Sequence, residues 1–558
     1  MKRRLTVLIA AALVLALMPT CSGAFAAAEA EVYNLEMLVH VTGQMINEYS
    51  DNAIRDKMAE DIGVRFQLIE CDTDKFNLML SSDDLPDIIR SPLSYTEQLM
   101  LGEKVIPMDP YLEEYAPDIL ANLKDVMAFS REFWSNGTGN LYFLPHALDI
   151  GEIGPDRVYE NGLSVRWDLW KAIGYPMPKN ADDIIDIVKR MVEVQPVTED
   201  GQKVYGFATN VDFGALFWQS CWMNFDNVAW WGGPWVDGTT KEYISQFTDE
   251  RGRLSSIEFW FKANQEGLVD PDSLTQTYTD RSAKYATGRA VASSWNWGVG
   301  NWNEINATTD KKIMILPLEF GFLGTFGYNR TGWTDRFYDI TKNCKNPEKT
   351  MQFINYVFSY DGARNMYSGV EGVHWDMIDG APTLRDEVID MWVSGGEERN
   401  LQGFFALPGN LNYVGLGNRV IHSDGYPINL FIQPSLFKRL NDVTEAEYCE
   451  HFGVDFPADA YNISMKKNGL ASSYDFDSRV SALWPTDPDD IARIYANLDD
   501  LYSKQGAKML LAADRAEFDA LKADLLKQAE EMGVAAYDEY MQKTLAGVLQ
   551  IIAELDAR

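Results

Sequence analysis

The sequence has few cysteines, and they are far apart. Five occur in 558 residues, and no two form a CxxC pair. Cys21 belongs to the N-terminal leader described below, which leaves Cys71, Cys221, Cys344 and Cys449. This spacing excludes a dense disulfide framework and a cysteine-rich zinc site. We expect separate buried thiols, with a single bridge as the alternative that the sequence leaves open.

Histidine and the common cofactor motifs are also scarce. The five histidines show no HExxH or H-x-H spacing, so no zinc site is predicted. Residues 198–206 read TEDGQKVYG and lack the alternating oxygen ligands that Ca²⁺ needs, so we interpret them as a plain turn. With no P-loop and no G-x-S-x-G, the sequence predicts no metal, no cofactor and no catalytic residue.

Positive charge is outnumbered along the whole chain. Lysine and arginine total 49 against 83 acidic residues, which gives a formal net charge of −34. Such a surface repels phosphate backbones, and no basic stripe is present, so nucleic acid is excluded as a partner. Hydrophobic residues make up 46% of the chain, which indicates a globular protein with more than one core-forming unit.

A long apolar run is found only at the N-terminus. Three basic residues, Lys2 to Arg4, precede the uncharged run 5–18, and an Ala24-Phe25-Ala26 pattern follows. This order predicts a signal peptide over residues 1–26 and an exported protein, extracellular or attached to the cell surface. The run is too short for a bilayer span, although a retained anchor is an alternative. Lipid attachment at Cys21 is a second alternative, since the preceding Met-Pro-Thr matches a lipobox poorly.

The first part of the mature chain predicts a parallel sheet. Apolar residues alternate over 35–41 and again over 64–68, and a short helix fits residues 53–61, ended by Gly63. A strand, a helix and a strand in this order form a βαβ unit.

Further helices carry clear boundary signals. Helices are predicted over 181–192, capped by Asn180, and from Pro347 to about Tyr360, capped by Asn346. Residues 487–558 are helical in composition, with Gly506 and Gly533 as expected breaks. No linker or internal repeat is present, which favours interwoven lobes over consecutive domains.

Several segments resemble the extracellular solute-binding proteins of family 1, in particular the large lipoprotein-like branch of Gram-positive bacteria. The resemblance keeps the family's order from Asp84 to Gly533, and its motifs are DLPDII at 84–89, GEKVIPMD at 102–109, GNLYFLP at 139–145, VRWDLWKAIG at 165–174, EGLVDP at 266–271, YATGRAV at 285–291, KNPEK at 345–349 and EGVHW at 371–375.

The resemblance implies an α/β, two-lobed periplasmic-binding-protein-like fold of type II. Each lobe would have a central β-sheet flanked by helices, with the ligand cleft between the lobes and a hinge that closes on the ligand. Residues 32–147 and 328–378 would form lobe 1, and residues 148–327 and 379–558 would form lobe 2 with a helical extension. The implied function is to bind a carbohydrate, in particular an oligosaccharide, and deliver it to the permease subunits of an ABC importer.

Tryptophan is concentrated in two short stretches. Eight of the sixteen tryptophans lie at 218–235 and 295–302, among Gly, Asn and Ser. Indole rings stack on the C–H faces of sugars, while neighbouring amides bond to hydroxyls. We therefore predict ligand contact for Trp295 and Trp297, which would share one face of an extended segment, and for Trp222 and Trp231. Ordinary packing is the alternative.

Five other polar or aromatic residues are candidate ligand contacts because of their place in the family motifs. They are Trp375, Glu371, Arg166, His146 and Asp87. For Arg166 a structural ion pair is an equal alternative, and for Asp87 a role in stabilising a strand end.

Two other functions remain open from the sequence. A secreted carbohydrate-active enzyme would also have aromatic loops and paired carboxylates. A binding protein for peptide or another non-sugar solute would share the fold but need partners for charged termini. The family resemblance favours binding without turnover.

Overall fold

The computed structural model describes residues 32–40, 52–71, 73–211, 223–296, 298–324, 331, 336–406 and 414–557. Predictions made for residues outside these ranges, including the signal peptide and Cys21, are not addressed by it. The strands, β1 to β13 in chain order, are Tyr33–His40, Val64–Cys71, Ile88–Arg90, Leu144–Pro145, Asn161–Arg166, Tyr205–Phe207, Val228–Trp230, Trp235–Asp237, Ala290–Trp295, Ile313–Ile315, Phe337–Tyr338, Trp375–Ile378 and Ala381–Leu384.

Helices make up about half of the described chain. In order, α1 to α21 are Ala53–Ile62, Thr73–Ser82, Thr96–Leu101, Asp109–Tyr115, Pro117–Asn122, Lys124–Phe133, Trp167–Ala172, Ala181–Val194, Arg253–Gln265, Tyr278–Ala286, Trp302–Ile305, Pro347–Phe358, Tyr360–Ser368, Asp386–Ser394, Glu397–Leu401, Val443–Phe452, Pro457–Asn468, Arg479–Leu483, Asp489–Leu510, Arg515–Glu531 and Val534–Asp556.

The first sheet is parallel, with strand order β2-β1-β3. Leu35 and Met37 of β1 point into a core that also receives Phe66 of β2 and Ile88 of β3. Helix α1 connects β1 to β2 as the crossover. The predicted βαβ unit is therefore confirmed.

Helix starts were predicted accurately because asparagine caps are strong signals. Asn52, Asn180 and Asn346 each accept hydrogen bonds from backbone amides of the following turn, and Gly63 ends α1 with a φ of 66°. The predicted helix from Pro347 ends at Phe358 instead of about Tyr360. Ser359 is extended and caps a separate helix, α13.

The second sheet is mixed, with strand order β10-β5-β9-β6. Strand β9 lies inside this sheet, antiparallel to β5 and parallel to β6. Leu163 and Val165 of β5 and Val291 of β9 contribute to a second core. The carboxyl ends of β6 and β9 therefore lie at the same edge as the amino end of β5.

The chain crosses between the two cores three times, at residues 149–160, between β10 and β11, and after Leu440. The predicted first lobe ended at residue 378, yet the first core includes side chains as far as Leu440. Tyr367 and Ser368 hold this later segment through hydrogen bonds to the carbonyls of Leu416 and Ile428. Residues 384–406 and 414–440 therefore pack with the first unit, and the other lobe limits stay predictions.

The C-terminal helices α19 to α21 form a third core with α9. Gly533 separates α20 from α21 as predicted, but Gly506 is buried inside α19 and does not interrupt it. The break falls instead at residues 511–514. Leu483 of α18 packs against a cluster of the first unit and against a cluster of the C-terminal helices, so this segment contacts both units.

Cysteine use agrees with the expectation of separate thiols as far as the structure describes it. Cys344 and Cys449 are free thiols, Cys71 is buried at the end of β2, and Cys221 lies outside the described residues. Among the described helices, none is both long enough and apolar enough to cross a membrane.

Candidate functional site

One edge of the second sheet brings together several segments that the sequence singled out. Trp295 is the last residue of β9 and pairs with Asn161 at the start of β5. The carboxyl end of β6 leads into Ala208 to Asn210 beside it. We call this the strand-end edge, formed by residues 158–161, 208–210, 295, 296 and 298.

Arg281 of α10 holds the strand-end edge together. Its guanidinium donates hydrogen bonds to the carbonyls of Ala208 (3.1 Å) and Gly298 (2.5 Å) and to the hydroxyl of Ser293 (2.7 Å). It also lies 4.6 Å from the ring centre of Trp295, a cation–π contact. Burial lowers the pKa of Arg281. No sequence motif marked this residue.

Trp295 is at the predicted edge, but its ring is covered. It is 1% exposed. A Cβ on Gly298 would lie 1.7 Å from the indole Nε1, so only glycine lets the chain pass over this ring. Trp295 thus packs as a core residue here.

Strand β9 ends at Trp295, so the extended pair of tryptophans predicted from the sequence is not continued as a strand. Asn296 lies in a bend, donating from its backbone to the carbonyl of Glu160 (3.0 Å) and from its side chain to that of Tyr159 (3.1 Å). Trp297 lies outside the described residues. Its ligand contact stays a prediction.

Glu160 enters the strand-end edge from the crossing segment 149–160. Its side chain is half-buried, and burial, reinforced by the charge of Asp156, raises its pKa to about 7. Within the described structure its carboxylate accepts no hydrogen bond and forms no ion pair. Asp156 itself is paired with Arg419 (2.7 Å). No sequence motif marks Glu160, so it was not among the predicted ligand contacts.

The tryptophan-rich hairpin β7–β8 presents one indole outward. Trp230 is 51% exposed, whereas its neighbour Trp231 is 7% exposed. Trp231 donates its Nε1–H to the carbonyl of Asp477 (2.8 Å) and packs on Phe476. The predicted contact residue Trp231 is thus an internal anchor, and Trp222 lies outside the described residues. Val228 and Ala229 before it are both buried, so no simple alternation in the sequence marks Trp230 as the exposed ring.

Arg166 lies at the opposite end of β5 from the strand-end edge. It is 1% exposed, donates to Asp168 (2.8 Å from Nε) and to Gln195 (3.0 Å), and stacks on Trp302. These contacts fit the structural alternative that the sequence left open.

Asp87 and His146 are both buried in the first unit. Asp87 accepts hydrogen bonds from the Tyr33 hydroxyl (2.7 Å) and from the amides of Glu36 and Lys345 (both 3.0 Å), which fixes the amino end of β3. That end is opposite the carboxyl edge where ligands of parallel sheets bind. His146 is 1% exposed and follows β4 into the crossing segment.

Trp375 and Glu371 also belong to the first unit. Trp375 is 6% exposed and donates its Nε1–H to the carbonyl of Gly369 (2.7 Å), which makes it part of the first core. Glu371 is exposed in the preceding turn. The structure does not bring either residue to the strand-end edge.

The described residues contain neither a cluster of metal-ligating side chains nor, in the cavity described below, enough space for a sugar. No group of three or more ligating side chains that could hold an ion occurs among them. Residues 198–203 form a turn closed by the bond from the amide of Thr198 to the carbonyl of Gln202 (2.8 Å). A cavity between β10 and helices α16 and α17 measures about 30 Å³, room for one water and too small for a sugar.

Comparison with protein families gives a match to the model described as bacterial extracellular solute-binding protein, over residues 57–364. Among curated proteins, the chain is 24% identical over 326 residues to the fructooligosaccharide ABC transporter substrate-binding protein FusA of Streptococcus pneumoniae. That alignment covers 55% of this chain and 57% of FusA, so it spans little more than half of the relative's length.

Solved structures resemble nearly the whole chain. The alginate-binding protein AlgQ2 superposes with a TM-score of 0.58 at 18% identity, covering 92% of this chain and 98% of that one. An HMO-binding, ABC-transporter-associated solute-binding protein from Bifidobacterium longum infantis gives 0.55 at 14% identity, with coverage of 92% and 98%. The predicted two-lobed α/β fold of type II is thereby confirmed.

Proposed function

The chain belongs to the bacterial extracellular solute-binding proteins, and we propose that it binds an oligosaccharide between its two units and delivers it to the permease of an ABC importer. The observation that carries this proposal is the extent of the family match. Residues 57–364 include strands of both sheets and two of the three crossings between the cores. The match therefore covers the parts from which a cleft between the units is built.

A carbohydrate ligand is supported by the named relatives and by one side chain. FusA is described as binding fructooligosaccharide, AlgQ2 alginate and the Bifidobacterium protein HMO. In this chain, the half-exposed indole of Trp230 is held on a hairpin whose other face is packed. A rigid exposed indole is suited to stack on a sugar ring.

The ligand-contact set is proposed as follows. Trp230 replaces Trp231, because the ring of Trp230 is about half exposed whereas that of Trp231 is buried. The strand-end edge provides the other side, through Asn296 and Glu160. Trp297 and Trp222 remain candidates outside the described residues, whereas Arg166, Asp87 and Trp375 are assigned to structure.

Export belongs to the same proposal. Delivery to an importer places the protein outside the cytoplasm, after cleavage near Ala26 or with a lipid on Cys21. Binding without turnover is proposed because the family is one of binding proteins.

A thermal-shift screen of the mature chain against neutral and acidic oligosaccharides tests the function. A ligand that binds only the folded state increases the free energy of unfolding by RT ln(1 + [L]/Kd), and the melting temperature rises as a result. We expect at least one oligosaccharide to stabilise the protein and small peptides to leave it unchanged. Stabilisation by peptides alone would contradict the proposal.

A further inference from the structure

Glu160 occupies a junction that both units share. It ends the crossing segment 149–160, and its carbonyl accepts the amide of Asn296, which follows β9 (3.0 Å). The start of the same segment is tied to the first unit, since the amide of Leu148 donates to the carbonyl of Gly415 (2.8 Å). The charge of Asp156 acts on the carboxylate of Glu160, and Asp156 is paired with Arg419, which lies between Leu416 and Val420 of the first core. Glu160 is therefore close to a contact between the units.

The carboxylate of Glu160 differs from the other half-buried and buried carboxylates around it. Asp149 and Asp156 both bond to Arg419 (2.9 and 2.7 Å), and Glu445 bonds to Arg157 (2.7 Å). Within the described chain, Glu160 has no donor of this kind. A half-buried carboxylate without a protein donor costs stability, so the oxygens of Glu160 are suited to accept from a donor beyond the described residues, such as a bound ligand.

The charges around Glu160 limit which kind of chemical group could donate to its carboxylate. The charge of another carboxylate, Asp156, acts on Glu160, and Arg419 is shared between two acidic partners. The guanidinium of Arg281 is already bound to two carbonyls and a hydroxyl. Among the described residues these two cations are already bonded, so an incoming carboxylate would face like charge, whereas hydroxyl groups could donate to both oxygens of Glu160.

We propose that Glu160 accepts hydrogen bonds from hydroxyl groups of the bound saccharide and makes the site select neutral saccharides over uronates. This inference rests on the proposed function and names its substrate class. Glu160 acts as a specificity-determining contact. The exposed Glu152, on the same crossing segment but outside the strand-end edge, serves as the matched control.

Titration calorimetry on the wild type, Glu160→Gln and Glu152→Gln tests the inference. The probes are a panel of neutral oligosaccharides of fructose, glucose and mannose, and alginate oligosaccharides as uronates. We expect a neutral oligosaccharide to bind the wild type and Glu152→Gln alike, and Glu160→Gln about tenfold more weakly, because a hydrogen bond to a charged group is lost. In the same variant, the ratio of the affinity for the neutral oligosaccharide to the affinity for alginate oligosaccharides should decrease.

The outcomes separate the two proposals. Equal affinity of all three proteins for a neutral oligosaccharide would overturn the role of Glu160 and leave the proposed function intact. Preference of the wild type for alginate would overturn the selectivity while keeping saccharide binding. Binding of no saccharide would overturn the function and this inference together. A melting temperature for each variant excludes loss of folding as the cause of weaker binding.

Discussion

The guanidinium of Arg281 lies 4.6 Å from the ring centre of Trp295 and donates to the carbonyl of Gly298 on the far side of the same turn. One side chain thus fixes both the last residue of β9 and the loop that follows it. Through Ala208 it also holds the end of β6. The strand-end edge is therefore rigid before any ligand arrives.

Replacing Arg281 should weaken both folding and binding. Arg281→Ala leaves two carbonyls and a hydroxyl without their donor, so we expect a loss of roughly 2–4 kcal/mol in the free energy of unfolding. Arg281→Lys keeps the charge but not the planar fork, and should fall between wild type and Ala. Urea unfolding measures both variants. A loss below 0.5 kcal/mol in Arg281→Ala would show that the edge does not depend on this residue.

The adjacent residues Trp230 and Trp231 should respond in opposite ways to truncation. Trp230→Ala removes an exposed ring, so the free energy of unfolding should stay within about 0.5 kcal/mol while the affinity for an oligosaccharide drops about tenfold. Trp231→Ala removes a buried ring and should cost about 3–5 kcal/mol of stability. Chemical unfolding measures the stability of both variants, and calorimetry measures their affinity for the oligosaccharide. Unchanged affinity in Trp230→Ala would show that Trp230 is not a ligand contact.

A buried ion network should make the second unit sensitive to acid. Although burial alone would raise the pKa of Glu445, Arg157 and Lys312 lower it to about 2. A carboxyl whose pKa is lowered by folding stabilises the folded state at pH values above its pKa in the unfolded state, which is near 4.5. This stabilisation is lost as the pH falls towards 2.

Glu445→Gln tests that network directly. At neutral pH it should cost about 3–5 kcal/mol, because Arg157 and Lys312 lose their shared partner. The difference in unfolding free energy between wild type and variant should shrink from pH 5 to pH 2. A difference that stays constant over that range would contradict the role of the Glu445 charge.

Glu160 should give the opposite pH dependence. Its pKa is raised to about 7, so the folded state binds the proton more tightly than the unfolded state does. Stability from this group is present below pH 4.5 and declines as pH rises to about 7. Glu160→Gln should therefore be more stable than wild type at pH 8 by about 1 kcal/mol or more, and close to it at pH 4.5. Equal stability at both pH values would mean that the carboxylate is well solvated or paired.

Local signals explain how much of the fold could be predicted. The predicted asparagine caps at 180 and 346 and the glycine after α1 fix helix ends through backbone bonds within one turn, so the sequence alone reveals them. The cap at Asn52 follows the same rule but was not predicted. Gly506 was expected to break a helix, but burial of α19 against its neighbours outweighs the low helix propensity of one glycine. Packing of that kind depends on distant residues.

The candidate site was harder to predict than the fold. A tryptophan in a glycine-rich stretch can be exposed, like Trp230, or anchor a loop, like Trp231, and composition does not separate the two. Arg281 acts through carbonyls of segments that are 73 and 17 residues away, a relation that no local pattern encodes. Glu160 is distinctive only because the described part of the fold gives its carboxylate no donor.

Calorimetric titration of the mature chain with oligosaccharides, followed by product analysis, tests the central claim most directly. The account predicts saturable binding of an oligosaccharide at one site per chain, with no new reducing ends after prolonged incubation. Release of shorter sugars would instead identify an enzyme, and absence of binding to every saccharide tested would contradict a carbohydrate-importing role.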